Sequence, residues 1–198
     1  MEQANVKERV ILGIDPGTAV MGYGLVIEKG PKVELISLGV VKLDKLDDHM
    51  LKLQRIFEKT VALIDNYKPD CLAIEAPFYG KNIQVMLKLG RAQGICMAAA
   101  LSRSIDITEY SPRKIKQSIT GNGNATKEQV AAMLQTLLSF SETPDFLDAT
   151  DGLAVAVCHS FQKINTKATK SGKSKKTYSG WETFIKDNAT RIVKPAGK

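Results

Sequence analysis

Arg9-Val-Ile-Leu-Gly-Ile-Asp15, followed at once by Pro16-Gly17, is the stretch from which the fold is read. A continuous β-branched and apolar run of this length fits a strand buried on both faces, and such strands belong to sheets covered on both sides by helices. Gly17 ends the run and leaves the Asp15 carboxylate at the strand's C-terminal end, where α/β folds gather their ligands. Outward from it, Val20 to Ile27 and Val33 to Leu43 are apolar and partly alternating, joined by the turn residues Lys29-Gly30-Pro31, so three strands in a meander are expected.

The spacing then switches to a helical period from Leu46 to Tyr67 and is broken at Lys68-Pro69-Asp70. Cys71-Leu-Ala-Ile-Glu75 is a second short buried strand. Asn82 to Leu101 predicts a long helix, and its Gly90 and Gly94 have the spacing G-x-x-x-G. That spacing is read first as close internal packing, with a subunit interface as the alternative. Ile105 to Thr108 is a further strand, Ser111-Pro112 opens a short helix stopped by Gly121-Asn-Gly-Asn124, and Thr126-Lys-Glu-Gln129 has capping-box spacing. A last helix is expected from Thr143-Pro144 to about Phe161, apolar on nearly every side. The order is that of an α/β protein with a mixed central β-sheet flanked by helices.

The 198 residues suffice for one ordinary domain with an appendage. No apolar run reaches the roughly 18 residues that span a bilayer, and the N-terminus has no secretory apolar stretch. The odd, scattered Cys71, Cys96 and Cys158 offer neither a disulfide framework nor a metal knuckle, so reduced core cysteines in a cytoplasmic protein without a membrane role are expected.

The net charge of +7 suggests an anionic partner, and its distribution is uneven. Residues 163–198 hold ten Lys or Arg against two acids, in a segment low in apolar residues and broken only by Trp181-Glu-Thr-Phe-Ile185. A domain over 1–162 followed by a flexible basic tail over 163–198 is the expected organisation. Within the domain, Lys81 to Lys127 holds eight basic residues against two acids, whereas Glu128 to Gln162 holds five acids and no Lys or Arg. Nucleases need this contrast, because phosphates are attracted while carboxylates hold cations.

Four acids carry that chemistry. Asp15 and Glu75 each end a buried strand just before a Pro-containing turn. Asp148 and Asp151 lie three residues apart in an apolar helix, so their Cβ atoms share a face, and Gly152 beside them leaves room for close approach. Carboxylates on a packed face raise one another's pKa unless a cation neutralises them. All-oxygen ligands, without a Cys or His pair at zinc spacing, suit Mg2+ or Mn2+, and two such ions can activate water against a phosphodiester. His159 is a conceivable proton shuttle, though a lone histidine in an apolar helix is usually structural.

Gly13-Ile-Asp15-Pro-Gly17 with Gly22-Tyr23-Gly24, Ile74-Glu75 with Phe78-Tyr-Gly-Lys81-Asn82, Leu87-Lys-Leu-Gly90-Arg91-Ala92, Lys116-Gln117, Gly121-x-Gly123-x-Ala125-x-Lys127, and Asp148-Ala-Thr-Asp151-Gly-Leu-Ala154 with Cys158-His159 together resemble the RuvC Holliday-junction resolvases. The matches run in order over roughly residues 9 to 161. The resemblance implies an RNase H-like fold, a homodimer, Mg2+-dependent cutting of a four-way DNA junction by two symmetric nicks (two ions per subunit, with Mn2+ as a substitute), and the RuvA/RuvB branch-migration proteins as partners. It also implies that Asp15, Glu75, Asp148 and Asp151 hold the metals, that Phe78 stacks on a base near the junction centre, and that Lys116 and Lys127 contact phosphate. Lys81 and Arg113 complete the candidate DNA contacts; an aromatic just after a catalytic strand, among basic residues, suits a stacking wedge beside a phosphate track.

Three rivals are weaker. Asp15-Pro-Gly17-Thr18 also looks like the first phosphate loop of actin-like ATPases, but those need a second Asp-x-Gly loop and a duplicated lobe, for which the chain is too short. Smaller RNase H-like nucleases acting on RNA or RNA/DNA hybrids share the strand-end acids but not the Gly121 to Lys127 segment. A non-catalytic DNA-binding module leaves four placed acids without a purpose.

Overall fold

The computed structural model of the chain describes residues 8–77, 82–140 and 147–165, without the side chains of 163–165. Three antiparallel strands come first: β1 (Glu8–Asp15), β2 (Val20–Lys29) and β3 (Lys32–Lys42). They are followed by α1 (His49–Tyr67), β4 (Cys71–Glu75), α2 (Ile83–Leu101), β5 (Asp106–Tyr110), α3 (Pro112–Thr120), α4 (Lys127–Leu138) and α5 (Leu147–Asn165). The five strands form one mixed sheet in the order β3-β2-β1-β4-β5, with β4 parallel to β1 and β5 parallel to β4.

The central position of β1 explains its unbroken apolar sequence. Successive side chains of a strand point to opposite faces, so Ile11 enters a core with α3, α4 and α5, whereas Leu12 and Ile14 enter a second core with α1 and α2. Ile11, Leu12 and Ile14 are all fully buried. At roughly 25 cal/mol per Å2 of apolar surface, each such side chain contributes about 1.5–3 kcal/mol.

Local signals place most boundaries. Asp48 caps α1, its side chain accepting from the Met50 amide, so the helix starts three residues after the expected Leu46; Leu46 instead sits in the preceding turn, its amide donating to the Leu43 carbonyl. Asn82, the expected first residue of α2, is its cap, and Ser111 caps α3 with Pro112 in its first turn. Gly121, at φ 75°, ends α3 in the left-handed region that glycine tolerates, and Thr126 with Gln129 closes the expected capping box on α4. β5 runs two residues beyond the expected Thr108, and α5 continues to Asn165 rather than about Phe161. The expected opening at Thr143-Pro144 lies outside the described residues, as does 166–198 of the basic segment.

The glycine spacing in α2 has a different meaning from the one first expected. A Cβ added at Gly90 or Gly94 meets no atom of the described residues within 4 Å, so this face is not packed internally. Close internal approach occurs elsewhere, where α5 crosses the sheet. Added Cβ atoms would lie 2.3 Å from the Gly152 carbonyl oxygen at Gly13, 1.9 Å from the Asp148 carbonyl oxygen at Gly22, and 2.4 Å from the Leu153 Cα at Gly24. From the helix side, a Cβ at Gly152 would lie 2.5 Å from the Tyr23 backbone. Backbone rests on backbone there, which fixes the height of α5 above β1 and β2. Cys71, Cys96 and Cys158 are all buried and none is in a disulfide. Among the described residues no helix is long and apolar enough to cross a membrane.

Candidate active site

The parallel register of β1 and β4 sets Ile14 opposite Ile74, so Asp15 and Glu75 are the next residues on adjacent strands. Both lie on the face that carries α5, since they share the parity of Ile11 and Cys71. Asp15 pairs with Gly22 of β2, the residue on which the backbone of Asp148 rests. The glycine contacts therefore bring the first turn of α5 down onto the strand ends, and the two aspartates with it.

The charges register this convergence. Burial, followed by the charges of Asp151 and Asp148, pushes the Asp15 carboxyl up to about 6, with Lys127 opposing. Burial and the neighbouring charges of Asp15 and Asp151 push Glu75 up to about 8, against Lys127 and Lys116. Asp151 is also raised, chiefly by burial, because the hydrogen bond and charge of Lys127 do not fully offset its desolvation. A buried carboxylate group without enough positive charge is costly to ionise, and a hard cation relieves that cost.

Lys127 supplies the counter-charge that is present. Its Nζ donates to Asp148 Oδ1 at 3.1 Å and to Asp151 Oδ2, and these two acids keep its pKa raised even though burial pulls the other way. Among the described residues no three His, Cys, Asp or Glu side chains close on a point where an ion would sit. Two of the four acids face the ammonium. The donor set nonetheless fits Mg2+ or Mn2+: four carboxylates on one patch, three of them with a raised proton affinity, and no nitrogen or sulfur among them.

Asp15 and Glu75 stand between two pockets. One, of 570 Å3, is shared with Asp151, Lys127, Lys116 and Arg113. The other, of 410 Å3, is formed with the 16–20 turn, Leu89 and Asp148. The loop that carries the basic side is fastened internally, since Gln117 donates to the Gly121 carbonyl at 2.5 Å and accepts from the Gly123 amide at 3.0 Å. The structure thus brings Asp15, Glu75, Asp148, Asp151, Arg113, Lys116 and Lys127 together. Phe78 and Lys81 lie outside the described residues.

His159 is not in the site. It is eleven residues beyond Asp148 on α5, roughly 16 Å along the axis. Its Nδ1 is 2.8 Å from the Tyr110 hydroxyl and its Nε2 is 3.4 Å from Cys71 Sγ, which makes it a structural residue. A residue not singled out in the sequence is Gln93 on α2, buried, whose amide donates to Glu109 Oε2 at 2.8 Å and to the Glu75 carbonyl at 3.4 Å. It ties α2 to the C-terminal ends of β4 and β5. A glutamine in a helix carries no sign of this, because only the packing of α2 on the sheet reveals it.

The model of the family described as "Crossover junction endodeoxyribonuclease RuvC" matches residues 11–159. A protein of that name from Christiangramia forsetii is 58% identical over 185 residues, 93% of either chain. One from Bacteroides fragilis is 56% identical over 189 residues, 94% of this chain and 97% of its own. Among solved structures, Thermus thermophilus RuvC in complex with Holliday junction substrate superposes with a TM-score of 0.73 at 31% identity, covering 78% of this chain and 94% of its own. The yeast mitochondrial Holliday junction resolvase, 14% identical with a TM-score of 0.60 and 81% coverage of each chain, shares the fold. The sheet, the placement of the acids at its strand ends, and these likenesses agree, and the chain belongs to the RuvC family of crossover junction endodeoxyribonucleases.

Proposed function

We infer that this protein is a structure-selective endodeoxyribonuclease that resolves four-way (Holliday) DNA junctions in recombination and repair, hydrolysing phosphodiesters with Mg2+ held by Asp15, Glu75, Asp148 and Asp151. The observation that carries this reading is one pocket in which Asp15, Glu75 and Asp151 face Lys116, Arg113 and Lys127. Carboxylates alone would repel a phosphate, and basic residues alone would bind it without cutting. Magnesium ions, when bound, would polarise the phosphodiester and lower the pKa of the attacking water. Lys116 and Arg113 on α3 hold the phosphate against the acids. Phe78 and Lys81, which follow β4 in the sequence, are further proposed DNA contacts.

Two symmetric nicks require two such sites, and each chain supplies one. A homodimer through α2 provides them. Ile83, Leu87 and Leu101 are exposed in line with the open Gly90 and Gly94, an apolar stripe along one side of the helix that nothing among the described residues covers. The ten Lys and Arg from Lys163 onward, as an appendage to the nuclease domain, would add non-specific attraction to DNA. A cytoplasmic location, in keeping with three cysteines outside disulfides, and the RuvA/RuvB proteins as partners complete the proposal.

The test compares cutting of synthetic four-way junctions, duplex DNA and RNA/DNA hybrids in Mg2+. Paired nicks in junctions are expected, lost in Asp15→Asn and Asp148→Asn while junction binding without metal persists. Preferred cutting of the hybrid would favour an RNA-directed nuclease. Loss of binding as large as loss of cutting would remove the four acids from their assigned role.

A further inference from the structure

We propose that Lys127 is an exchangeable counter-cation: it neutralises Asp148 and Asp151 until a divalent cation takes those carboxylates, and is then released to grip the substrate phosphate. The inference rests on the reading that the four acids hold metal. Two observations carry it. The ammonium donates to one oxygen of each aspartate, so it supplies positive charge where a divalent ion would. The lysine side chain is half exposed, at 50%, in a 570 Å3 pocket whose wall also carries Arg113 and Lys116, so it has both space to swing and a phosphate track to join.

The backbone makes the exchange a side-chain event. Lys127 is the first residue of α4, inside the capping box that Thr126 and Gln129 form, and the box fixes the helix start whether or not the ammonium is engaged. A lysine suits this role better than an arginine would, since a point charge on a flexible stem leaves two carboxylates more readily than a planar fork bonded bidentately. The consequence is an order of events: a protein without metal withholds one phosphate contact, and metal loading completes the grip. Binding of the cation and binding of the junction then favour each other.

Calorimetric titration of the DNA-free protein with Mn2+ tests the exchange without cleavage. Lys127→Met should bind Mn2+ about tenfold more tightly than the wild type, because no ammonium has to be displaced. Lys116→Met, which removes a more distant charge, should change affinity about twofold or less. Equal or weaker Mn2+ binding by Lys127→Met overturns the proposal. Asp148→Asn reports separately on the metal site itself: if it binds Mn2+ as the wild type does, the four-carboxylate reading fails first. A second measurement uses junction affinity against salt. In Ca2+, Lys127→Met should lessen the salt slope by about one phosphate contact, and in EDTA it should leave the slope unchanged. An equal reduction in both media would show that Lys127 contacts phosphate whether or not metal is bound, and would refute the exchange.

Discussion

Gly22→Ala tests whether the height of α5 above the sheet sets catalytic geometry. The added Cβ would lie 1.9 Å from the Asp148 carbonyl oxygen and 2.9 Å from its carbonyl carbon, and Cβ contacts under 3.0 Å essentially do not occur. The obstacle is helix backbone rather than the end of a flexible side chain, so the first turn of α5 must retreat by about 1 Å. Overpacking of this kind costs about 1–3 kcal/mol, or roughly 2–12 °C in melting temperature for a domain of this size. The cost in activity is larger in proportion. A reacting group misplaced by about 1 Å can lose about a hundredfold in rate, and here two aspartates move together. Junction cleavage in saturating Mg2+ should therefore fall by about two orders of magnitude at a temperature where circular dichroism shows the variant fully folded, with metal-free junction binding nearly unchanged. Cleavage within a few fold of wild type would mean that α5 does not need its backbone contact, and the argument from the glycines would be wrong.

Two further outcomes follow from charge and from surface. Glu75 carries a carboxyl raised from 4.5 to about 8, so the folded protein keeps a proton the unfolded chain has already lost, and stability without metal should decline as pH rises through that interval. Glu75→Gln should flatten this decline and raise stability at pH 8 by about 2 kcal/mol while abolishing cleavage, as read by thermal melts across pH; a variant less stable than wild type at pH 8 would contradict the repulsion described here. Gly94→Leu should shift the solution mass by light scattering from about twice 21.6 kDa toward 21.6 kDa, without loss of protomer folding, because the position is open; an unaltered dimer would move the interface away from this face of α2.

The sequence and the structure part company in instructive places. Strand-end acids were legible because a buried apolar run followed by Asp-Pro or Glu-Ala-Pro has few other meanings, and the register of β1 with β4 turns two linear signals into neighbours. The aspartate pair of α5 was legible from helical spacing alone. What spacing could not say is which glycines are crowded. Gly90 and Gly94 have the more suggestive pattern and stand open, whereas Gly13 on β1 and Gly22 and Gly24 on β2 share one contact with α5. The difference lies in partners far along the chain, Gly152 and Asp148 among them, and no local periodicity encodes such a meeting. The same holds for Lys127, which as a sequence feature is one cation in a basic stretch. Its place between Asp148 and Asp151, about twenty residues onward, depends on the packing of α4 against α5. Charge that looks like a phosphate contact in the sequence is, in the folded protein, directed at two carboxylates of α5, a pairing that only the packing of the two helices creates.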